Sequence, residues 1–344
     1  MLRRRMIPFA AALCAVLFLT GCALRLTTGL DRNTLAKVNG GKIGMDCARL
    51  LLSEMSYSYE RLFDAGVWSE SIGGVTAQEY VKTSVKDTLL HLKVLGLMAE
   101  RENVAVSEAE EAKLSEAARA YWATLPQDAQ TAGFDVETVR KFYGDLLLAE
   151  KVFYEATADV DTEVSADEAR VVDVQYIFVS TMKLSEDGEA VRLPDSEYQS
   201  KKTLAESLLS LIPESDFAAL AREYSDDSEY SLQFGSGERD AEFEKAAFAL
   251  EMGGVSGLVE TEYGYYIIKC INDNIESNYE KRREEIILSR RTEAFSELYA
   301  EFARNIETEF NEAEYEKLEM KDMAAGSGQL YDVFGRIFVS TQLD

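Results

Sequence analysis

The sequence is short of the residues that most catalytic chemistry draws on. Across 344 residues it has a single histidine, His91, so a multi-histidine zinc site is excluded and any serine–histidine–aspartate arrangement depends on that one side chain. Proline is scarce, at 4, and glycine stops at 21, which excludes collagen-like and proline-rich low-complexity classes. Basic residues are outnumbered, with 36 Lys and Arg against 62 Asp and Glu. A formal charge of -26 is repelled by phosphate backbones, so nucleic acid is not expected as a partner. No Cys-x-x-Cys pair and no Cys/His cluster occurs, and neither a metal nor any other cofactor is assigned. What remains is 47% hydrophobic and 28% charged, enough for two or three domains that each bury a core.

Long apolar runs are lacking too, with one exception. The chain opens Met1-Leu-Arg-Arg-Arg, continues with an apolar run over residues 6–19 and reaches Leu19-Thr-Gly-Cys22. A basic start, a short apolar run and small residues before a cut describe a secretory signal over residues 1–21, and the run is too short for a membrane span. Leu-Thr-Gly-Cys resembles a bacterial lipobox. The resemblance implies that Cys22 is acylated and anchors an acidic body on the extracytoplasmic face of the bacterial cell membrane; the alternative is an ordinary signal with an incidental cysteine. Cys14 lies in the signal, and Cys47 and Cys270 either pair in the oxidising compartment or stay as free thiols.

Residues 22–36 read as a polar tether. Residues 36–45 read as a short strand turning at Asn39-Gly40-Gly41, and from Asp46 to Thr157 the pattern is helical throughout, so 37–157 is expected as an N-terminal helical domain. Its clearest stretch carries Val81, Val85, Leu89, Leu92 and Met98. His91 lies within that stretch and is expected to pack rather than to act. Ser107 is placed to cap the next helix, with Glu110 completing a capping box. Then the character changes. Residues 171–180 are β-rich and read as a buried strand, followed by helices at 196–211, 216–223 and 241–250, a glycine-rich loop at 235–237, a turn at Gly253-Gly254 and a closing strand at 265–271. Together they make an α/β domain over 165–275. Residues 276–323 read as a charged helical segment packing with the N-terminal domain, the acidic run 307–319 as its solvated face. Residues 324–344 are unassigned, although the apolar run 333–339 suggests a strand.

Four ordered motifs in the α/β region carry a resemblance to a family. Asp216-Phe-Ala-Ala-Leu-Ala-Arg-Glu-Tyr-Ser-Asp-Asp227, Phe243-Glu-Lys-Ala-Ala-Phe-Ala-Leu250, Gly254-Val-Ser-Gly257 and Thr261-Glu-Tyr-Gly-Tyr-Tyr-Ile-Ile-Lys269 resemble a parvulin-type peptidyl-prolyl isomerase domain. The flanks, beginning at Val38-Asn-Gly-Gly-Lys-Ile, are similar to the helical arms of the secreted PrsA/SurA class of foldases. The resemblance implies an α+β fold: a helical chaperone-like arm domain built from N- and C-terminal segments, with an inserted parvulin-like domain of antiparallel sheet flanked by helices. It also implies unfolded or secreted polypeptides as clients and no cofactor.

The site residues that the resemblance implies are Asp227, Tyr176, Tyr266 and Tyr263 for catalysis, and Phe243, Arg239 and Phe234 for holding the proline. Asp227 fits a position that the family fills with cysteine or aspartate, and Phe243 fits the aromatic wall of the pocket. Tyr176 and Tyr266 stand where the family has histidines, Tyr263 stands where it has a small hydroxyl residue, and Arg239 stands where it has a pocket methionine. Before Phe234, the family's glycine-rich stretch is shortened to Ser228-Glu-Tyr-Ser-Leu-Gln233. Read without the resemblance, Phe243 and Phe248 are core residues of an amphipathic helix, and Asp227 caps a turn. The expectation is a lipid-anchored folding factor with weak isomerase activity; the alternative is a non-catalytic holdase whose degenerate parvulin domain binds peptide or acts as a spacer.

Overall fold

The structure, a computed structural model, describes residues 23–26, 29–185 and 187–338, so the signal and Cys22 lie outside the described residues. The chain divides into two compact units. One takes residues through Asp161 and again from Leu288; the other is Thr162–Ile287.

The first unit is a helical body with a small sheet. Helix Ala77–Arg101 opens with the reciprocal Thr76–Glu79 capping box, Glu108–Trp122 with Ser107–Glu110, and Val136–Ala156 with Asp135–Thr138. Each box satisfies backbone N–H groups that the first turn leaves without partners. Val81, Val85, Leu89, Leu92 and Met98 are all buried, as their spacing predicts, in one core with Leu50 and Leu51 of helix Met45–Phe63 and with Phe142 and Leu146. Each such side chain contributes about 1.5–3 kcal/mol on burial. His91 is a packing residue here. Its Nδ1 lies 2.6 Å from the Asp87 carbonyl, to which it donates, its ring lies 5.7 Å from that of Tyr299, and burial lowers its pKa. Cys47 and Cys270 are both free thiols.

The sheet of this unit differs from the sequence expectation. Strand Thr34–Val38 turns through Asn39 (φ 46°) and Gly40 (φ 82°) into Gly41–Gly44, the left-handed pair that a two-residue hairpin requires. Its other neighbour is Glu307–Phe310, antiparallel, which in turn pairs in parallel with Ala23–Leu26. The segment 276–323 is therefore not helical throughout: helix Tyr279–Ala303 ends, and in Glu307–Phe310 alternate residues Thr308 and Phe310 are buried, the period of a strand. Nor are residues 22–36 only a tether, since they hold strand Ala23–Leu26 and the start of Thr34–Val38, with Leu35 and Ala36 fully buried.

The apolar tail is a helix rather than a strand. In Leu330–Phe338 the buried residues are Leu330, Val333, Phe334, Gly335 and Phe338, a helical spacing that the local β-propensity of the run obscures. The helix is fixed by Glu54, a carboxylate 7% exposed, which accepts hydrogen bonds from the Tyr121 hydroxyl (2.6 Å) and from the backbone N–H groups of Ser327 (2.8 Å) and Leu330 (3.4 Å). A buried carboxylate without such donors would be strongly unfavourable. The Tyr143 hydroxyl donates to the Leu330 carbonyl at 2.7 Å.

The second unit is a four-stranded antiparallel sheet in the order Val259–Glu260, Gly264–Asn272, Val171–Ser180, Ser231–Gly235. Strand alternation sorts its side chains onto two faces. Ile177, Val179, Tyr265 and Ile267 meet helices Asp195–Leu211 and Phe217–Tyr224 on one face. Val172, Val174, Tyr176 and Ile268 meet helix Ala241–Phe248 on the other. Where the unit begins and ends, its chain is tied together: the Arg170 Nε donates to the Asp273 carbonyl (2.7 Å), the Ile275 N–H to that of Val171 (2.8 Å) and the Tyr279 hydroxyl to that of Val164 (3.3 Å).

Burial also sets a pH dependence in the helical unit. Desolvation raises the Asp145 carboxyl from 3.8 to about 6, with Lys93 opposing. A carboxyl whose pKa is raised by folding contributes stability that is complete below the unfolded value and is lost as pH rises through the folded one. Asp145→Asn should therefore stabilise the protein at pH 8 by up to about 3 kcal/mol. The gain should shrink to nothing by about pH 4, and urea unfolding at the two pH values checks both.

Candidate active site

The candidate site is built on the face of the sheet that carries Tyr176. In strand Val171–Ser180, Tyr176 and Phe178 lie two apart and share that face. Strand Gly264–Asn272 runs antiparallel beside it with Tyr266 opposite Phe178 and Ile268 opposite Tyr176. The approach needs glycine at its start. A Cβ on Gly264 (φ 153°) would stand 2.3 Å from the Val179 carbonyl and 3.0 Å from the Phe178 ring.

Cross-strand pairing stacks Tyr266 on Phe178, with centroids 4.5 Å apart and planes at 22°, and places the Tyr266 ring 5.8 Å from that of Tyr176. Helix Ala241–Phe248 supplies the third wall. Its N-cap, Asp240, accepts from the backbone N–H groups of Glu242 (3.0 Å) and Phe243 (3.2 Å), so Phe243 enters on the first turn. The Phe243 ring meets Tyr266 edge-on at 5.0 Å, Tyr176 edge-on at 5.7 Å and Phe234 at 5.7 Å. These are contact distances for aromatic pairs. With Phe243 4% and Phe234 1% exposed, these two rings form a buried floor. A ligand has to lie across the accessible edge, where Tyr266 and Phe178 are half-buried and Asp227 and Arg239 are exposed.

The polar groups are few and largely committed. The Tyr176 hydroxyl lies 2.6 Å from the Glu229 carbonyl and 3.0 Å from Asp227 Oδ2, so one proton serves two acceptors. Burial first, then the hydrogen bond to Asp227 and its charge, pushes the Tyr176 pKa well above the ordinary phenol value. Tyr266 is pushed up to about 12, again chiefly by burial, with Asp227 and Asp240 adding and Arg239 opposing. Both therefore stay neutral at physiological pH and act as O–H donors, not as bases or nucleophiles. The adjacent Asp226 is engaged elsewhere. It accepts from the Ser180 N–H and pairs with Lys201, both at 2.8 Å, on the wall of a groove of about 560 Å³ that Met182, Leu193 and Leu204 also line.

The residues expected from the sequence are distributed unevenly. Tyr176, Tyr266, Phe243, Phe234 and Asp227 come together, and the Arg239 charge acts on both tyrosines from the exposed rim. Tyr263 stands at the edge, half exposed, with its hydroxyl raised mainly by a hydrogen bond to Glu262; its backbone carbonyl accepts from the Thr181 N–H at 3.0 Å. Sequence reading missed Phe178, the ring stacked on Tyr266, although its i+2 spacing from Tyr176 on a strand signals it. It also missed Phe248 as the outer neighbour of Phe234, at 5.6 Å and 88°, and the Glu229 carbonyl, which no side-chain pattern marks.

Comparison with known proteins agrees with this geometry. Residues 186–272 match the family described as Rotamase, the PPIC-type PPIASE domain, so Asp227, Arg239, Phe243, Tyr263 and Tyr266 fall inside the matched span and Tyr176 just before it. The foldase protein PrsA of Caldanaerobacter subterraneus subsp. tengcongensis is 26% identical over 276 residues, covering 78% of this chain and 82% of that one. The foldase protein PrsA of Clostridium botulinum strain 657 is 27% identical over 297 residues, covering 78% and 84%. A solved peptidylprolyl isomerase (PrsA) from Bacillus cereus aligns over 90% of this chain at 19% identity, with a TM-score of 0.37, a likeness too weak to weigh. The chain thus carries a PpiC-type PPIase domain and is homologous to the foldase protein PrsA across most of its length.

Proposed function

We propose that this protein is a lipid-anchored extracytoplasmic folding factor in which X-Pro isomerisation is weak and the holding of polypeptide clients by the helical unit does most of the work. The observation that carries the first part is the replacement of an imidazole pair by two neutral tyrosines over a closed aromatic floor. An X-Pro amide passes through a twisted state about 18–20 kcal/mol above the planar forms. No covalent step is needed, so a site accelerates the reaction only by binding the twisted amide better than either planar form. Tyr266 offers a hydroxyl and a ring face for this, while the Tyr176 hydroxyl is occupied by Glu229 and Asp227. Arg239 keeps a charge at a rim that works best when water is excluded.

Restoring the imidazoles tests this in the full chain. The wild type should raise the isomerisation rate of X-Pro peptides only slightly, and the double variant Tyr176→His/Tyr266→His should raise kcat/KM by about tenfold or more. Wild-type activity already equal to that of ordinary parvulins, in a protease-coupled assay, would show that tyrosines are adequate replacements.

Anchoring is supported by Leu19-Thr-Gly-Cys22 after an apolar run. One acyl chain gives only marginal membrane binding, so stable attachment needs two or more on the same cysteine. Cys22→Ser should leave an uncleaved precursor or release the protein to the soluble fraction. Fractionation and maturation identical to wild type would refute it.

Client holding by the helical unit is supported by its size and by its independence as a contact unit. Arg290 Nη1 donates to the Asp161 carbonyl at 3.2 Å, so the two ends left by removing the second unit lie side by side and a short linker spans them. The chain with residues 162–287 replaced by a Gly/Ser linker should keep most of its suppression of aggregation of an unfolded protein, read by light scattering. Complete loss, with helical circular dichroism intact, would place holding in the sheet unit.

A further inference from the structure

The helical unit exposes its large apolar side chains very unevenly. Among the described residues, those at least half exposed are Leu62 (71%), Phe63 (60%), Val75 (50%) and Tyr80 (63%), all within one short stretch; the unit's other exposed ones, Val136, Tyr154, Leu298 and Tyr331, reach 36–41%. The four lie on the end of helix Met45–Phe63, on the hairpin that follows and on the start of helix Ala77–Arg101. Helix Met45–Phe63 stops at Asp64, a non-glycine residue in the left-handed region (φ 67°) whose Oδ1 accepts from the Gly66 N–H at 2.7 Å. This reversal returns Trp68 onto Tyr59, with rings stacked at 5.4 Å, and Tyr59 lies 6.4 Å from Phe63. The hairpin Ser71–Ile72/Val75–Thr76 follows, and the Ala77 N–H to Glu70 carbonyl bond (2.9 Å) closes its base and starts the helix that carries Tyr80. Burial raises the pKa of Tyr59, and Tyr80 adds to the rise. Strained backbone of this kind persists where the surrounding structure holds it, often at binding sites.

The charge around the patch decides what can cover it. Between Tyr57 and Tyr80 the chain carries Glu60, Asp64, Glu70 and Glu79 against one base, Arg61, whose guanidinium lies over the Tyr57 ring at 5.8 Å. Among the described residues none of the four carboxylates has an ion-pair partner; Glu60 accepts from the Trp68 indole (2.7 Å), and Glu79 closes the Thr76 capping box. A second copy of this chain would bring the same carboxylates to meet them, and an anionic lipid surface would be repelled. Exposed apolar area in a stretch with four carboxylates and one base fits an apolar segment that carries positive charge.

We infer that the Leu62–Phe63–Val75–Tyr80 patch is where this protein takes hold of unfolded polypeptide, and that the segments it prefers combine large apolar side chains with Lys or Arg. The inference rests on the reading of the helical unit as the client-holding part and adds to it a place and a client chemistry.

Two dye-labelled synthetic peptides of one apolar pattern test it on the full chain by fluorescence anisotropy, one with Arg and the other with Glu at the polar positions. The wild type should bind the Arg peptide about tenfold tighter than the Glu peptide, and the difference should narrow at high salt. Leu62→Ser/Phe63→Ser should weaken the Arg peptide about tenfold with the unfolding midpoint unchanged, because both side chains are mostly in solvent. The independent variant Glu70→Arg should shift preference toward the Glu peptide. Equal binding by wild type and the double variant would overturn the placement, and equal binding of both peptides by the wild type would overturn the client chemistry. A wild type that suppresses aggregation of an unfolded protein while the double variant does so equally well removes the patch and leaves the holding function standing. A wild type that suppresses nothing removes both.

Discussion

The helical unit depends on one strand arriving from far along the sequence. Glu307–Phe310 lies between Ala23–Leu26 and Thr34–Val38, and beyond it the Asn311 side chain donates to the carbonyls of Asp31 (3.1 Å) and Thr34 (2.9 Å). Without that strand, Thr34–Val38 would be paired on one edge only, and a lone two-stranded hairpin is marginal in water. The same return lays Tyr315 against the helix Ala77–Arg101, where its hydroxyl donates to the Lys82 carbonyl at 2.8 Å and the Lys82 ammonium pairs with Glu316 at 3.0 Å. A unit closed by its two ends can carry an insertion between them, provided that the insertion also begins and ends in one place. The bonds from Arg170, Ile275 and Tyr279 in the second unit meet that condition.

Within the insertion, tyrosine at both expected histidine positions changes the chemistry more than the packing. An imidazole changes charge near neutrality; a buried phenol does not below a pH of about 10. Tyr176 is instead drawn into the structure by Glu229 and Asp227, while Tyr266 completes an aromatic stack with Phe178 and Phe243. The outcome is an aromatic face whose edge, at Tyr266 and Phe178, is half-buried.

The helical unit spends its polar groups on cohesion and leaves apolar surface in one place. Glu54 gathers Tyr121, Ser327 and Leu330, so the last helix is held by a buried carboxylate as well as by Phe334 and Phe338. By contrast, the stretch from Leu62 to Tyr80 keeps Leu62, Phe63, Val75 and Tyr80 at least half exposed. A strongly acidic body limits the self-association that exposed apolar area invites, and the same charge selects what binds.

Much of this was legible in the sequence, for local reasons. The capping box at Ser107–Glu110, the Asn39–Gly40 turn, the helical spacing from Val81 to Met98 and the β-rich run Val171–Ser180 are each decided within a few residues, so the chain alone determined them. The four motifs between Asp216 and Lys269 likewise located the parvulin-type domain, and the family match covers them. Other features needed the tertiary structure. Glu307–Phe310 is too short and too acidic to declare itself a strand until Thr34–Val38 supplies partners for its backbone. The apolar run 333–339 suggests a strand, yet Leu330–Phe338 is a helix; its first N–H, that of Leu330, and the N–H of the preceding Ser327 donate to Glu54, hundreds of residues away. Whether Phe243 is a pocket wall or core was undecidable from its helix. Only the register that sets Tyr266 opposite Phe178 shows its ring closed in by Tyr176, Phe234 and Tyr266, because burial is a property of what the rest of the chain places nearby.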